Sequence, residues 1–156
     1  MGIFDKVFNK KNDNNSDTVK TITESWSVLT GQNNGKPMLI RKNTGCDNFI
    51  GNKNYSTSCG IAFKFLHPDT NELPDVAKEP ELNNLEDDLF NIFQTDLNSI
   101  VAIVITTSGF REYVLYTTDK KEFEVRLLKL QEKYKQYELT SYDKPDKDWT
   151  TYKSFK

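Results

Sequence analysis

The chain has 156 residues, a formal net charge of −2, and only two cysteines and one histidine. This length suits one domain, the near balance of charge excludes the overall basic character of a nucleic-acid-binding protein, and so few cysteine and histidine residues exclude the usual zinc sites. No apolar run reaches the ~20 residues that a membrane-spanning helix needs and no secretion signal is recognised, so we expect a cytoplasmic protein with reduced thiols and without metal, cofactor or membrane span.

Residues 1–18 are predicted to form a short N-terminal segment and a linker outside the folded domain. Apolar residues recur at helical spacing within residues 3–8, which favours a small helix that docks on the domain over a surface anchor or partner-binding tip. Residues 9–17 contain no apolar residue, a composition typical of a flexible linker. We therefore expect a single α+β domain over residues 19–156.

The first half of this domain is predicted to be β-structure. Residues 21–30 and 37–43 form a hairpin whose turn contains an Asn-Asn-Gly sequence. Residues 44–55 form a loop and residues 56–66 a third strand. Gly60, Ala62 and Lys64 share one side of that strand, and the small residues there predict that another group packs close to the backbone.

Two helices follow the helical period. The first begins near Pro80, which suits a first helical turn, and extends to about residue 97 with a stripe of leucine and phenylalanine residues. Asp119 caps the second, which covers residues 120–135. The first lies in an acidic stretch and the second in a basic one, which indicates that the two helices complement each other. We expect Glu86, Asp87 and Asp88 to form a solvated helix face.

Residues 100–118 form the central hairpin around Ser108 and Gly109. Its first strand is apolar at nearly every position, which predicts burial on both faces.

The predicted order of elements is β-β-β-α-β-β-α-β. Its last six elements have the ferredoxin-like β-α-β-β-α-β pattern, preceded by the N-terminal hairpin. We expect both helices on one face of an antiparallel sheet. The other face of the apolar strand must also be covered, either by the hairpin, by the C-terminal tail, or by a second copy in a homodimer through the open sheet face.

Four short motifs, in order, span residues 21–155. They are a Trp that opens the first strand, an Arg-x-Asn that ends the second, a Gly-x-Arg-Glu…Tyr run in the central hairpin and a closing Asp-x-x-Trp-x-x-Tyr-x-x-Phe: Trp26, Arg41, Asn43, Gly109, Arg111, Glu112, Tyr116, Asp146, Trp149, Tyr152 and Phe155. With these motifs the chain resembles the bacterial family called domain of unknown function 695. The resemblance implies no established activity.

Polar residues that interrupt the strand-like runs are candidates for a ligand-binding or partner-binding site. Arginine offers a two-pronged donor to carboxylate or phosphate, and we hypothesise that Arg41 and Arg111 point into one polar depression beside the central hairpin. The alternative is a surface pattern on the edge of the hairpin. The candidate residues are Arg41, Asn43, Arg111, Glu112 and Tyr116.

The tail carries Trp149, Tyr152 and Phe155 at a spacing of three, which places them on one side of a helical turn. We predict a structural clasp that packs back on the domain, with Asp146 or Asp148 capping the turn. The alternative is an exposed surface that stacks a nucleobase or a peptide.

The sequence contains no catalytic motif, because His67 lacks a nucleophile signature and Ser108-Gly109 is a turn. We favour a non-catalytic interaction or regulatory module whose partner is another protein. The alternative is an enzyme or anion-ligand binder that uses the region of Arg41 and Arg111.

Overall fold

The computed structural model describes residues 22–156, so the predicted N-terminal segment and linker lie outside the described residues. Six strands, one 3₁₀ helix and three α-helices follow one another along this part of the chain. Their bounds are β1 Trp26–Asn33, β2 Lys36–Asn43, the 3₁₀ helix Thr44–Phe49, β3 Thr57–Lys64, α1 Glu81–Phe93, β4 Ser99–Thr107, β5 Phe110–Thr117, α2 Lys120–Lys133, β6 Leu139–Pro145 and α3 Thr150–Ser154.

The strands form one open sheet in the order β1-β2-β4-β5-β3-β6. Every neighbouring pair is antiparallel. The α+β class and the antiparallel sheet predicted from the sequence are therefore confirmed. β4 and β5 lie in the middle of the sheet, and the N-terminal hairpin extends it at the β4 edge.

The two hairpin turns have the backbone that a two-residue connection requires. Asn34 and Gly35 have φ values of 49° and 79°, and Ser108 and Gly109 have values of 51° and 83°. Two consecutive positive φ values match the right-handed twist of the flanking strands. Short polar side chains and glycine tolerate this conformation, which explains why the sequence signalled both turns.

Both long helices pack on one face of the sheet. Buried residues of α1 and α2 belong to a single apolar cluster that also includes Ile61, Val104 and Leu115 from the strands. Ion pairs join the helices: Lys133 Nζ lies 2.7 Å from Asp88 Oδ2, and Arg126 Nη2 lies 2.7 Å from Asp96 Oδ2, just beyond the end of α1. The charge complementarity of the two helices is thus found, although exposed pairs of this kind contribute only about 0–1 kcal/mol each.

The opposite face of the sheet, called here the far face, carries a second apolar cluster. β4 contributes to both clusters, because successive residues of a strand point to opposite faces, and its register shifts between Val101 and Ile103. This bulge turns Ala102 and Ile103 to the far face, while Val101 and Val104 pack with the helices. The far face is covered by the buried side chains of the 3₁₀ helix and of the tail, residues 146–155: Cys46, Phe49, Trp149 and Tyr152.

Several boundaries differ from the sequence predictions, among them β1, which is Trp26–Asn33 instead of residues 21–30. Residues 44–55, predicted as a loop, begin with the 3₁₀ helix, because Asn43 Oδ1 accepts a hydrogen bond from Gly45 N and thereby caps its first turn. α1 ends at Phe93, four residues earlier than predicted. The last strand, which the sequence predicts over residues 137–142, is Leu139–Pro145, because Tyr137 is buried in the helix-side cluster instead of pairing with β3.

Gly60 lies directly opposite Tyr142 in the β3–β6 pair. A Cβ atom on Gly60 would lie 2.2 Å from Cε1 of Tyr142, so the close approach predicted for this side of β3 is found here. The Tyr142 hydroxyl donates a hydrogen bond to Glu112, which holds the ring over the glycine.

We expect Gly60→Ala to lower the free energy of unfolding by about 1–3 kcal/mol, because the Tyr142 ring must move away. The loss should be smaller in a Tyr142→Ala background, with a coupling energy of about 0.5–3 kcal/mol. Urea unfolding of the two single variants and the double variant measures it. Equal losses in both backgrounds would show that the ring does not constrain position 60.

Candidate functional site

Glu86 on α1 is the centre of a buried polar group on the helix side of the sheet. Arg41 projects from β2 and makes a two-pronged contact with it. Nη1 of Arg41 donates to Oε1 at 2.7 Å and Nη2 donates to Oε2 at 2.8 Å. Such paired contacts between guanidinium and carboxylate combine charge with fixed geometry.

Two residues of β5 reach the same carboxylate. Arg111 and Tyr113 are two positions apart and therefore share a face of the strand. Nη1 of Arg111 donates to Oε2 of Glu86 at 3.1 Å, and the Tyr113 hydroxyl donates to the same oxygen at 2.7 Å. Arg41 and Arg111, which were predicted to share one polar depression, meet at Glu86.

Arg41, Glu86, Arg111 and Tyr113 are called here the Glu86 cluster. Their side chains are largely withdrawn from solvent, with 21%, 8% and 13% of the Arg41, Glu86 and Arg111 side chains exposed. Within these four residues, two guanidinium groups share one carboxylate. Nε of Arg111 donates to Oγ1 of Thr106 at 2.9 Å, while Nη2 of Arg111 has no hydrogen-bond partner within residues 22–156.

The contacts within the cluster determine the protonation states of Glu86 and Tyr113. Burial disfavours the ionised form of Glu86, but the hydrogen bonds and charges of Arg41, Tyr113 and Arg111 outweigh it and lower the pKa of that carboxyl. Burial and the negative charge of Glu86 together raise the pKa of Tyr113 well above its usual range. At neutral pH the cluster therefore holds an ionised carboxylate and a neutral phenol.

Glu86 was not predicted as a site residue from the sequence. The prediction of a solvated helix face holds for the exposed Asp87 but is wrong for Glu86, which is 6% exposed. Its position contained a signal, since Glu86 lies four residues after Leu82 and three before Leu89, on the apolar stripe of the helix. A lone acidic residue within such a stripe indicates a buried partner, and two arginines on neighbouring strands supply it.

Trp26 adds an aromatic wall beside the cluster. Its ring centre lies 5.9 Å from the Arg41 guanidinium carbon and 6.0 Å from the Phe90 ring. These contacts link the first strand, the second strand and α1 around one arginine.

A family model matches residues 24–155, and its description is a family of unknown function, DUF695. The chain belongs to that family. The resemblance stated from the four motifs is thus confirmed. No curated protein and no solved structure matches the chain.

In this DUF695 chain, only some residues of the four motifs belong to the Glu86 cluster. Trp26, Arg41 and Arg111 lie in or beside it, as described above. Three other residues predicted for the binding site lie away from the cluster: Asn43, Glu112 and Tyr116.

Asn43 is fully buried, and its side chain makes hydrogen bonds to backbone groups. Its Nδ2 donates to the carbonyl of Val101 at 3.2 Å, and its Oδ1 accepts from the N–H groups of Ser25 and Gly45. Glu112 follows Arg111 along a strand and so points to the opposite face, where it accepts from Tyr142. Neither Asn43 nor Glu112 therefore takes part in the Glu86 cluster.

Tyr116 belongs to the far face, where it meets the tail. Its ring stacks on Trp149 with 3.8 Å between centres and an angle of 4°. Its hydroxyl donates to Oδ2 of Asp146 at 2.7 Å and accepts from the N–H of Tyr152 at 3.2 Å. The same Asp146 carboxylate accepts from the N–H groups of Thr150 and Thr151 at the start of α3.

Trp149 and Tyr152 are buried, and Phe155 is partly buried. The indole Nε1 of Trp149 donates to the carbonyl of Tyr55 at 2.9 Å. The Tyr152 hydroxyl lies 2.8 Å from the carbonyl oxygen of Asn43 and 2.7 Å from Oδ1 of Asp47. The tail is therefore tied by its polar atoms to the segment between β2 and β3.

Other chemistry is sparse in the part of the chain that the structure describes. No group of three or more His, Cys, Asp or Glu side chains is placed to hold a metal ion there. Cys46 and Cys59 are buried, unpaired and in different apolar clusters. None of the helices within residues 22–156 is long and apolar enough to cross a membrane.

Proposed function

We propose that this DUF695 chain is a non-catalytic interaction module that binds an anionic group of a partner protein at Arg111. The observation that supports this function is the state of the Arg111 guanidinium. Thr106 and Glu86 hold two of its nitrogens, and Nη2 has no partner within the described residues. A guanidinium that is held at two nitrogens and has its third nitrogen uncommitted suits a carboxylate or phosphate.

The electrostatics of the cluster favour binding over proton transfer. A general acid or base works best when its pKa lies near the working pH. Here the pKa of Glu86 is lowered by its hydrogen-bond partners against the opposing effect of burial, and the pKa of Tyr113 is raised by burial. Both values move away from neutrality, which supports a binding site instead of the alternative enzyme.

The neighbouring surface supports a protein as the partner. Val28 on β1 lies opposite Arg41 and is 61% exposed, and Leu39 on β2 is 39% exposed. β1 is also an edge strand, so its outer backbone groups can pair with an added strand. An apolar rim beside a charged anchor is a combination that protein interfaces use.

We also propose a more specific fold type, a domain range and a cellular location for this chain. The order β4-β5-β3-β6, with α1 and α2 on one face, supports a ferredoxin-like unit carrying an extra hairpin, in a single domain over residues 19–156 of a bacterial cytoplasmic protein. The far face is covered within one chain. The outer hairpin is therefore a better partner surface than the homodimer contact proposed for that face.

The test is a thermal unfolding series with phosphate and with acetate, each compared with sodium chloride at the same ionic strength. A ligand that binds only the folded state raises the melting temperature, and the increase grows with the ligand concentration relative to its dissociation constant. We expect both anions to stabilise the wild-type protein and Arg111→Ala to abolish that increase. Arg111→Lys should keep part of it, because a lysine retains the charge but not the planar donor set.

Arg126→Ala is the matched control, since Arg126 on α2 is a similarly enclosed arginine that pairs with Asp96 and with Glu122 of its own helix. It should lower stability without changing the response to anions. Equal stabilisation of wild type and Arg111→Ala would overturn the proposed function.

A further inference from the structure

A second polar cavity lies where the start of α1 meets the end of α2, away from the residues of the Glu86 cluster. Its volume is about 610 Å³, within the range of about 300–1,000 Å³ typical of small-molecule sites. Its polar wall is formed by Lys78, Glu79, Glu81, Lys133, Gln136 and Tyr137.

Glu79 is the unusual member of this wall. It is 2% exposed, and its Oε1 accepts a hydrogen bond from the backbone N–H of Leu66. Its Oε2 is buried and has no hydrogen-bond donor among the residues that the structure describes. A buried carboxylate oxygen without a donor is unfavourable unless something else supplies one. The backbone N–H of Glu79 is bound to the carbonyl of Asp75 at 3.0 Å, which fixes its position.

The cationic side chains around the cavity are engaged by other carboxylates. Lys133 Nζ lies 2.7 Å from Asp88 Oδ2, and Lys78 Nζ lies 3.7 Å from Asp75 Oδ2. Gln136 Nε2 donates to Oε2 of Glu81 at 2.7 Å. Among the acidic groups of the wall, Glu79 is therefore the one whose side chain has a buried oxygen without a donor within residues 22–156.

The Tyr137 hydroxyl lies near the negative charges of Glu79 and Glu81. Its ring is 5% exposed. Burial, followed by the negative charges of Glu79 and Glu81, raises the pKa of its hydroxyl to about 12. The part of the cavity wall near Glu79 is thus acidic, which favours a cationic group in the ligand.

We propose that this cavity binds a small organic ligand through an ammonium or guanidinium group that donates a hydrogen bond to Oε2 of Glu79. The site differs from the proposed anion site in place and in charge. A metal ion fits less well, because no set of three metal-ligating side chains is found in the described part of the chain. A cationic nitrogen supplies both the missing donor and the neutralising charge.

Protein NMR with two probes of the same length tests the proposal. n-Butylammonium carries the charge, and n-butanol is its neutral counterpart. We expect saturable shifts with n-butylammonium at the backbone amides of Leu66, Glu81 and Leu82, and much weaker binding of n-butanol. Glu79→Gln should raise the dissociation constant of n-butylammonium about tenfold or more, because it removes the charge from the hydrogen-bonded acceptor.

Glu81→Gln is the matched control, since Glu81 lines the same cavity but is exposed and already accepts from Gln136. It should change the dissociation constant less than threefold, on the order expected for one exposed charge. An unchanged dissociation constant of n-butylammonium in Glu79→Gln would overturn the proposal. The role of Glu79 would then be limited to its hydrogen bond with the backbone N–H of Leu66. If Glu79→Gln does not fold, the wild-type comparison decides, because equal binding of the two probes also overturns it.

Discussion

Trp149→Ala is expected to lower the free energy of unfolding by about 3–5 kcal/mol, the usual cost of deleting a fully enclosed tryptophan ring. The ring is 0% exposed, stacks on Tyr116 and meets Tyr152 edge to face at 5.6 Å. Its loss also removes the hydrogen bond to the Tyr55 carbonyl. This cost is a large share of a typical stability of about 5–15 kcal/mol.

The backbone of Trp149 makes the prediction sharper. Its φ of 57° lies in the left-handed region, which disfavours residues with a side chain and costs glycine nothing. Trp149→Gly should therefore be no less stable than Trp149→Ala, although it removes one more carbon. The opposite order would show that the backbone relaxes once the ring is gone.

Urea unfolding measures these variants, and Phe155→Ala serves as the control because that ring is only partly buried. Its loss should be clearly smaller than that of Trp149→Ala. Fluorescence in a Trp26→Phe background isolates Trp149 and should show the blue-shifted emission of a dry ring. An unchanged urea midpoint in Trp149→Ala, together with a red-shifted emission, would favour the alternative of an exposed partner-binding tail.

Glu86→Gln is expected to destabilise the fold by about 3–5 kcal/mol, because removing one partner of a buried ion pair leaves the other charge uncompensated. Here the change removes the carboxylate that Arg41 and Arg111 share and turns an amide toward a guanidinium. Asp87→Asn, one residue along the same helix and exposed, is the matched control and should be within about 0.5 kcal/mol of wild type.

The pH dependence of this difference follows from the direction of the pKa shift. The pKa of Glu86 is lowered in the folded state by Arg41, Tyr113 and Arg111, against the larger single effect of burial. Its ionised form therefore stabilises the fold fully above about pH 4.3, the ordinary value for glutamate, and this contribution is lost as the pH falls further. The gap between wild type and Glu86→Gln should narrow on acidification, and a constant gap would contradict the ion-pair explanation.

A double variant separates charge from packing. Arg41→Met with Glu86→Leu removes the pair together and replaces it with apolar side chains of similar size. Buried pairs exchanged in this way often cost little, so the double variant should lose less than the sum of its single variants. A loss equal to the sum would show that the two side chains act independently.

The fold was more accessible to sequence reasoning than the site. The apolar stripe of α1, the cap at Asp119 and the Ser108-Gly109 turn are local signals, and each element that they predict is present. The bulge at Ala102 was not predictable, because a strand buried on both faces shows no alternation that would reveal it. The 3₁₀ helix was missed for a similar reason, since its cap is a single asparagine within a polar stretch.

Site residues that stand out by their chemical type were predicted from the sequence. Those whose role depends on their position in the folded structure were not. Arg41 and Arg111 stood out because they interrupt apolar runs. Glu112 was grouped with Arg111 although adjacent strand residues point to opposite faces. Glu86 was set aside with its acidic neighbours, because its partners come from strands 45 and 25 residues away in the sequence. Glu79 carried no signal, since only the fold shows that one of its oxygens is buried without a donor.

The cover of the far face also has a consequence for how the protein is made. A ribosome produces the chain from its N-terminus, and the tail follows Pro145, the last residue of the sheet. The helix-side core has all its residues once Leu139 has been added, whereas the far face lacks part of its cover until Trp149 and Tyr152 emerge. At about 5–20 residues per second this interval lasts on the order of one second. During it the nascent chain presents an apolar sheet surface of the kind that chaperones bind.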